Sequence, residues 1–292
     1  MELDDLDGAV AVFNEVRPRL MGIAYRMLGS HTEAEDLVQE VWLRWQAADR
    51  STVQNPVAYL STAVTRLAIN ASQSARARRE TYIGPWLPEP VDTSADPYLG
   101  AERGEALSFA VLLVLERLSP TERAAYILRE AFDYPYDELA TMLQSTEPAV
   151  RQLVSRARKR IRAERRTEVS GSQQKKLLSA FVEAARSGDL AVLEQLLAKD
   201  AISYSDGGGA ARASRFPVVG RDRVAKYHRA FHDRFWVGVT VEFGRANGRA
   251  VAMLERDGVM FAVCTVIASD DGIDEVLWMM NPAKITAVSA VA

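Results

Sequence analysis

The residues best suited to chemistry in this chain are polar and basic side chains at helical spacing, able to hydrogen-bond base edges and phosphates. Arg151, Gln152, Ser155, Arg156 and Lys159 fall on one side of a helical repeat whose other side spaces Val150, Val154, Ala157 and Ile161 by three or four. Arg and Gln can reach base edges in a major groove, and Ser, Arg and Lys suit phosphate oxygens. Thr146 is placed to cap this helix, with Glu147 and Pro148 in its first turn. Ahead of it, Leu139, Ala140 and Leu143 share one face of a shorter helix, and Gln144–Ser145 form the turn between the two. An apolar seam, a tight turn and a basic outer face describe a helix-turn-helix over Tyr136–Arg166; a solvated helical hairpin is the plainer reading of the same pattern. A second polar surface lies upstream, on a helix expected from about Pro56 to Arg79. Its far end carries Arg66, Asn70, Ser72, Gln73, Ser74, Arg76, Arg78 and Arg79, with no acid before Glu80. That composition suits phosphates and bases, although basic residues also suit an ordinary helix C-terminus.

Both surfaces need a scaffold, and the periodicity supplies one. Ala9–Leu28 reads as a helix through Val12, Val16, Leu20, Ile23 and Met27, ended by Gly29. Thr32 is the expected cap of the next helix, with Glu35 completing a capping box. That helix has an apolar stripe of Leu37, Val38, Val41, Trp42 and Trp45 and a polar side of Asp36, Gln39, Glu40 and Arg44. From Thr81 to Leu99 four prolines and a glycine exclude a regular helix, and Trp86 stands in this linker between Pro85 and Leu87. Helices resume near Ala101, with Leu107, Ala110, Val111, Val114 and Leu118 as the first apolar face, and Ser119-Pro120-Thr121-Glu122 opens the next.

The remainder reads as a third domain of α+β class. The polar stretch to Gln174 is expected to end the basic helix at Gly171, an amphipathic helix runs through Leu177–Ala185 to Gly188, and Asp189–Leu197 makes another. Strands are expected at Ala201–Tyr204, Val237–Phe243, Ala250–Glu255, Val259–Ala268 and Ile273–Met280, with a helix over Arg221–Phe235. Asn247-Gly248, Asp257-Gly258 and Asp271-Gly272 are hairpin signals, so an antiparallel meander curled around the helices is expected. Trp236, Trp278, Phe261, Phe243 and His232 are candidate pocket residues, and plain core is the commoner role for aromatics. His228 and His232 have the spacing of a helical metal pair but no matching carboxylate. Asp206-Gly207-Gly208-Gly209 is no phosphate loop, because no Gly-Lys-Ser/Thr follows, and Asn281-Pro282-Ala283-Lys284 lies just past the last strand. No catalytic residue, metal site or cofactor is expected.

Composition bounds the rest. The 292 residues carry a formal net charge of −3, which argues against indiscriminate nucleic-acid binding and puts the weight on local basic patches. The one cysteine, Cys264, excludes an internal disulfide. An acidic N-terminus and the lack of a long apolar run lead to the expectation of a cytoplasmic protein without membrane contact.

At AEDLVQEVWLRWQ with PVAYLSTAVTRLAIN, and again at DELATMLQSTEPAVRQLVSRARKRI, the chain resembles regions 2 and 4 of bacterial sigma factors of the extracytoplasmic-function group. Leu118, Pro120 and Arg123 match the start of region 4. The WLP triplet at Trp86, Leu87 and Pro88, the DGGG run and the NPAK run resemble signatures of a subgroup with a C-terminal SnoaL-like (NTF2-like) cone; Ile285 stands where that signature has leucine, and Ala210 where a basic residue often follows the glycines. The resemblance implies region 2 at 8–80, a linker at 81–103, region 4 at 104–166 and the SnoaL-like domain at 174–287. It implies docking of Asp36, Val38, Gln39, Glu40 and Trp42 on core RNA polymerase through the β′ coiled coil, with the β flap as a further contact. Arg66, Asn70, Gln73, Arg76, Arg78 and Arg79 would then read the −10 element, and Arg151, Gln152, Ser155, Arg156 and Lys159 the −35 element. Trp86, Leu87, Pro88, Asp206, Gly207, Gly208, Gly209, Asn281, Pro282 and Lys284 would form an interdomain regulatory contact, with a small ligand of unknown identity in the cone and no separate anti-sigma factor. The expected function is promoter-specific initiation regulated in cis. The alternatives are a ligand-sensing operator-binding regulator and an isomerase or cyclase fused to DNA-binding domains.

Overall fold

The computed structural model describes residues 2–92, 108–164 and 169–285, the side chains of residues 2–5, 76 and 77 excepted. The parts of the expected linker and region 4 at 93–107 and 165–166, Leu107 among them, and the side chain of Arg76 lie outside the described residues, as do positions 286–287 of the expected third domain. The chain divides into two compact units, Met1–Glu80 with Ala95–Glu164, and Thr81–Ser94 with Arg165–Ala292.

The first unit is helical. Helix α1 (Glu2–Leu28) buries Val16, Leu20, Ile23 and Met27 and packs against α2 (His31–Ala47) and α3 (Pro56–Glu80). The cap of α2 is Ser30 rather than the expected Thr32: α1 closes at Gly29, whose N–H reaches Tyr25 O at 2.7 Å, and Ser30 Oγ accepts the Glu33 N–H at 3.2 Å. The Thr32–Glu35 spacing therefore falls inside the first turn. Leu37, Val38, Val41 and Trp45 of α2 are buried, and the Trp45 indole donates to Ala9 O at 3.1 Å. Helix α4 (Phe109–Leu115) leads to α5 (Pro120–Glu130), which opens with the capping box of Ser119 and Glu122 that its sequence announces. Helices α6 (Tyr136–Met142) and α7 (Glu147–Glu164) make the helix-turn-helix. Val150, Val154, Ala157 and Ile161 are all buried, and Gln144 turns the chain at φ 51°.

The second unit starts with the linker, which over residues 81–92 forms neither helix nor strand. Helix α8 (Gly171–Ser187) begins where the preceding basic helix was expected to end: Ser170 Oγ accepts the Gln173 N–H at 3.2 Å, so Gly171 opens a helix. Gly188, at φ 72°, closes it, and Asp189 caps α9 (Leu190–Leu196). Strand β1 (Leu197–Asp206), the short β2 (Val218–Val219), α10 (Arg221–Arg229) and α11 (His232–Phe235) follow; the single helix expected over Arg221–Phe235 is thus two. Strands β3 (Val239–Ala246), β4 (Arg249–Arg256), β5 (Val259–Ser269) and β6 (Gly272–Met279) run as the antiparallel meander that the turn signals predict. The short helix α12 (Pro282–Ile285) follows.

The sheet order is β2-β1-β6-β5-β4-β3, and β1 pairs with β6 in parallel, Asp206 opposite Met279. The expectation of a purely antiparallel sheet is corrected here. Hairpin turns specify neighbours in sequence, whereas β1 joins a strand more than sixty residues away whose direction no local signal encodes. Helix α8 lies on β4 and β5, fixed by the buried Gln174 amide, which donates to Ala250 O (3.0 Å) and Val266 O (3.2 Å) and accepts the Ala250 N–H (3.1 Å). Phe181, Leu193, Val224, Trp236, Ala252, Cys264 and Trp278 fill the core between them.

Candidate nucleic-acid interface and linker clasp

On α7 the buried seam turns Arg151, Gln152, Ser155, Arg156 and Lys159 outward, and all five are exposed. Arg151 is tethered within its own motif: Nη2 reaches Glu147 Oε1 at 2.5 Å, and the guanidinium lies 4.1 Å from the centre of the Tyr136 ring. Arg156 pairs with Glu122 at 3.4 Å. Such exposed pairs are weak, so a polyanion can displace them at little cost.

The upstream set on α3 divides in two. Asn70 and Gln73 are exposed. Arg66 donates Nε to Met142 O at 3.1 Å and Nη2 to Thr141 O at 3.2 Å, so a cation caps the carbonyl end of α6. Arg78 pairs with Glu33. Arg79 is mostly buried, donates to Leu28 O and pairs with Glu116. Burial, with the Arg123 charge beside it, lowers its pKa to about 10, so it remains a cation at neutral pH. Arg123, 4% exposed, bonds Met27 O and Glu116 Oε1, the latter at 2.8 Å. Within the first unit, then, Arg66 and Arg79 join the α1–α3 bundle to α4–α7. A cleft of about 330 Å³ lies between them, lined by Ser72, Arg79, Glu116 and Arg123 among others.

On α2, Asp36, Gln39 and Glu40 are exposed, and Trp42 is half-buried with its ring centre 4.9 Å from that of Phe13. Val38 is corrected from a surface to a core position, at 2% exposure. The apolar side chain displayed beside the acids is Leu43, at 57%. The helical period could have shown this, since Val38 belongs with Leu37, Val41 and Trp45, and Leu43 falls off that stripe.

The linker and the two loops of the third domain meet at one buried charge pair. Asp206, fully buried at the end of β1, holds Lys284 Nζ at 2.7 Å, and Lys284 is 6% exposed. Further hydrogen bonds of the pair go to the linker. Asp206 Oδ2 accepts the Leu87 N–H at 2.9 Å, Oδ1 accepts the Tyr82 hydroxyl at 2.5 Å, and Lys284 Nζ donates to Leu87 O at 2.7 Å. Asn281 Nδ2 donates to the Tyr82 oxygen at 2.9 Å. The Lys284 ammonium lies 4.2 Å from the centre of the Trp86 ring and 5.0 Å from that of Tyr82. Burial and the Asp206 carboxylate push the Tyr82 pKa up, so its hydroxyl stays a donor. Leu87 is 1% exposed and Pro88 is buried, while Trp86 remains partly exposed under Lys284. Gly208 explains the glycine run: at φ 58° a Cβ there would sit 2.3 Å from Asn281 Nδ2 and 2.8 Å from the Tyr82 oxygen. The structure thus brings Trp86, Leu87, Asp206, Gly208, Asn281 and Lys284 together, with Gly207, Gly209, Pro282 and Pro88 as their neighbours in the chain. Sequence reading overlooked Tyr82, whose hydroxyl in a proline-rich linker was its one signal.

The candidate pocket is corrected in two members. Trp236 and Trp278 are buried with ring centres 6.2 Å apart, and Phe261 is half-buried against Phe235, but Phe243 and His232 are exposed. His228 takes the interior place: its Nε2 is 3.0 Å from Ser203 Oγ, and burial lowers its pKa to about 3, leaving it neutral. It is thereby parted from His232, which bonds Arg229 O. Burial likewise raises the Cys264 pKa, so its thiol stays protonated. An open cleft of about 310 Å³ lies beside the clasp instead, lined by Ile83, Ser205, Gly209, Arg212 and Arg215 among others. Among the described residues, no helix is long and apolar enough to cross a membrane.

Residues 12–79 match the Sigma-70 region 2 family model and residues 108–161 the Sigma-70 region 4 model. The ECF RNA polymerase sigma factor SigJ of Mycobacterium tuberculosis is 36% identical, over 95% of this chain and 93% of its own length. Its crystal structure superposes with a TM-score of 0.77 at 31% identity, covering 96% of this chain and 99% of that one. The probable ECF sigma factor SigI of the same species is 33% identical over 75% of each chain. The exposed helix-turn-helix, the helical bundle before it and the appended mixed sheet are all accounted for by one membership: the chain belongs to the extracytoplasmic-function RNA polymerase sigma factors, initiation factors rather than enzymes, which bind core polymerase and promoter DNA.

Proposed function

We propose that this sigma factor is regulated in cis by its C-terminal domain, which restrains the linker between regions 2 and 4. The observation that carries this reading is the buried Asp206–Lys284 pair, whose hydrogen bonds are completed by Leu87 and Tyr82 of the linker. A buried charge pair needs its remaining hydrogen bonds satisfied, so the domain and the linker stabilise one another. Because the two are parts of one chain, high effective concentration favours the contact without great intrinsic strength. The bonds of Arg66 to Thr141 and Met142 support the same reading, since they engage part of the proposed −10 surface inside the first unit.

In this reading Asp36, Gln39, Glu40, Trp42 and Leu43 meet the β′ coiled coil of core polymerase, and region 4 lies at the β flap. Asn70 and Gln73, with Arg66, Arg78 and Arg79 once freed, face the −10 element. Arg151, Gln152 and Arg156 read the −35 element, with Ser155 and Lys159 on phosphates. No separate anti-sigma factor is required. A small ligand acts from the cleft beside the clasp, where Ile83 of the linker forms part of the wall. Such a ligand shifts activity only by binding the clasped and released states unequally.

The test is transcription by reconstituted holoenzyme. Trp86→Ala, Asp206→Asn and Lys284→Met are expected to shift promoter-dependent output in one common direction. Output equal to that of the wild type in all three would exclude regulation through this contact.

A further inference from the structure

The linker is held to the third domain at a second place. Asn247, fully buried in the β3–β4 turn, accepts the Val91 N–H on Oδ1 at 3.0 Å and donates its own N–H to Val91 O at 2.9 Å. Both polar groups of one linker peptide position are thus matched, as in a one-residue β-bridge. Leu87 through Val91 are all buried.

Strand register places the two holds at opposite ends of the sheet. Asp206 is opposite Met279, which is opposite Val263 of β5. Ala252 of β4 is opposite Cys264, so the Asn247-Gly248 turn lies level with Ala268 and Ser269. Five residues of β5 separate the levels, about 17 Å. The chain returning from region 4 is fastened at the Asn247 end, where Val169 N–H donates to Ala268 O at 3.1 Å and Arg249 Nη1 donates to Val169 O at 3.3 Å. Region 2 therefore joins this domain at the Asp206 end, with Thr81 alone between α3 and Tyr82. Region 4 joins at the Asn247 end, through residues 92–107 on one side and 165–168 on the other.

We infer that Asn247 and Asp206 act as two clamps in series that set the longest promoter spacing this sigma factor serves. The inference rests on the cis-regulatory reading above. With both clamps shut, the path from the end of α3 to the end of α7 runs two residues to Tyr82, along the sheet, then five residues from Val169 to Glu164. Its length is at most about 40 Å, at roughly 3.5 Å per extended residue. Opening the Asp206 clamp replaces the first two legs, about 24 Å, by eleven linker residues from Glu80 to Val91, about 38 Å. The gain of about 14 Å is about four base pairs at 3.4 Å each. Opening Asn247 while Asp206 holds lengthens nothing, because the path through Val169 still limits the span. Opening both leaves the 28 residues from Glu80 to Ser108 as the connection, about 100 Å, and the limit disappears.

The experiment uses full-length protein in holoenzyme with core RNA polymerase. A promoter selected from random duplexes by run-off transcription is rebuilt with its spacer changed one base pair at a time. Leu87→Glu opens the first clamp from the linker side by putting a charge where a side chain now sits 1% exposed. Asn247→Gly removes the side-chain acceptor of the second and suits the φ of 53°. Val91→Pro removes the donor without altering the third domain. The expected result is an upper spacing limit unchanged in Asn247→Gly and Val91→Pro, about four base pairs longer in Leu87→Glu, and lost when either is combined with Leu87→Glu. A limit moved by a second-clamp variant alone, or double variants no different from Leu87→Glu, would overturn the inference. An equal change at every spacing in Leu87→Glu would overturn it too while leaving cis regulation standing, and no change at any spacing would remove both.

Discussion

Replacing Lys284 by Met leaves Asp206 as a fully buried carboxylate with two donors, the Tyr82 hydroxyl and the Leu87 N–H, in place of three. It also strips Leu87 O of its partner and removes the cation above Trp86. Removing one member of a buried pair typically costs 3–5 kcal/mol, chiefly because the other charge is left uncompensated. Here the loss is capped by an escape route: if the linker lifts away, water reaches Asp206. The free energy therefore appears first as linker release and only then as unfolding of the domain. Hydrogen exchange at the Leu87 and Val91 amides, read beside exchange in β5 and β6, separates the two. About 3 kcal/mol should speed exchange at Leu87 roughly a hundredfold, since each 1.4 kcal/mol is tenfold, with a smaller change in the strands. Adding Asp206→Asn should restore part of the protection, because no buried charge then stands alone. Protection at Leu87 equal to that of the wild type in Lys284→Met would refute the electrostatic account of the clasp.

Three further outcomes follow from separate sites. Val38→Ala should lower stability by about 1–3 kcal/mol in urea melts with polymerase affinity retained, whereas Leu43→Asp should leave the melt alone and weaken capture of core polymerase in competition assays. Arg151→Ala should lose about 1–3 kcal/mol of discrimination at one upstream base pair, while Lys159→Ala should weaken every duplex alike and reduce the salt slope by about one contact. His228, with its pKa lowered from 6.5 to about 3 by burial, is neutral when folded. The unfolded chain thus binds the extra proton between those values, and stability falls as pH drops below 6.5. The loss from this residue should reach about 2 kcal/mol at pH 5 and be absent in His228→Gln, as measured by urea melts across pH.

The helical half was legible because each of its signals is local. The seam of Val150, Val154, Ala157 and Ile161 repeats within one helix, and the Ser119–Glu122 box spans a single turn. The cap of α2 was misjudged by two residues because Ser30 and Thr32 are chemically alike, and the choice depends on where α1 stops. The meander of the third domain was readable from Asn-Gly and Asp-Gly turns. The parallel partner of β1 was not, since nothing near Leu197–Asp206 specifies a strand at 272–279. Site residues divide the same way. Exposed positions on α7 follow from periodicity, but Val38 and Trp42 differ in burial although both lie on one stripe. Asn247 was legible as a turn former and not as a hydrogen-bond partner of Val91, because that second role depends on a segment more than 150 residues earlier.

The parallel pairing of β1 with β6 has a consequence for the newborn chain. The sheet cannot close until residues 272–279 have been made, and Lys284 follows them. A ribosome adding about 5–20 residues per second needs about 6–24 s to travel from Glu164 to Lys284. Through that interval regions 2 and 4 are already synthesised, and the lysine that pairs with Asp206 and holds Leu87 O has yet to be translated. A message broken in the last stretch would therefore yield regions 2 and 4 with Asp206 lacking its cation, so the order of synthesis puts the DNA-binding regions ahead of the contact that fastens their linker.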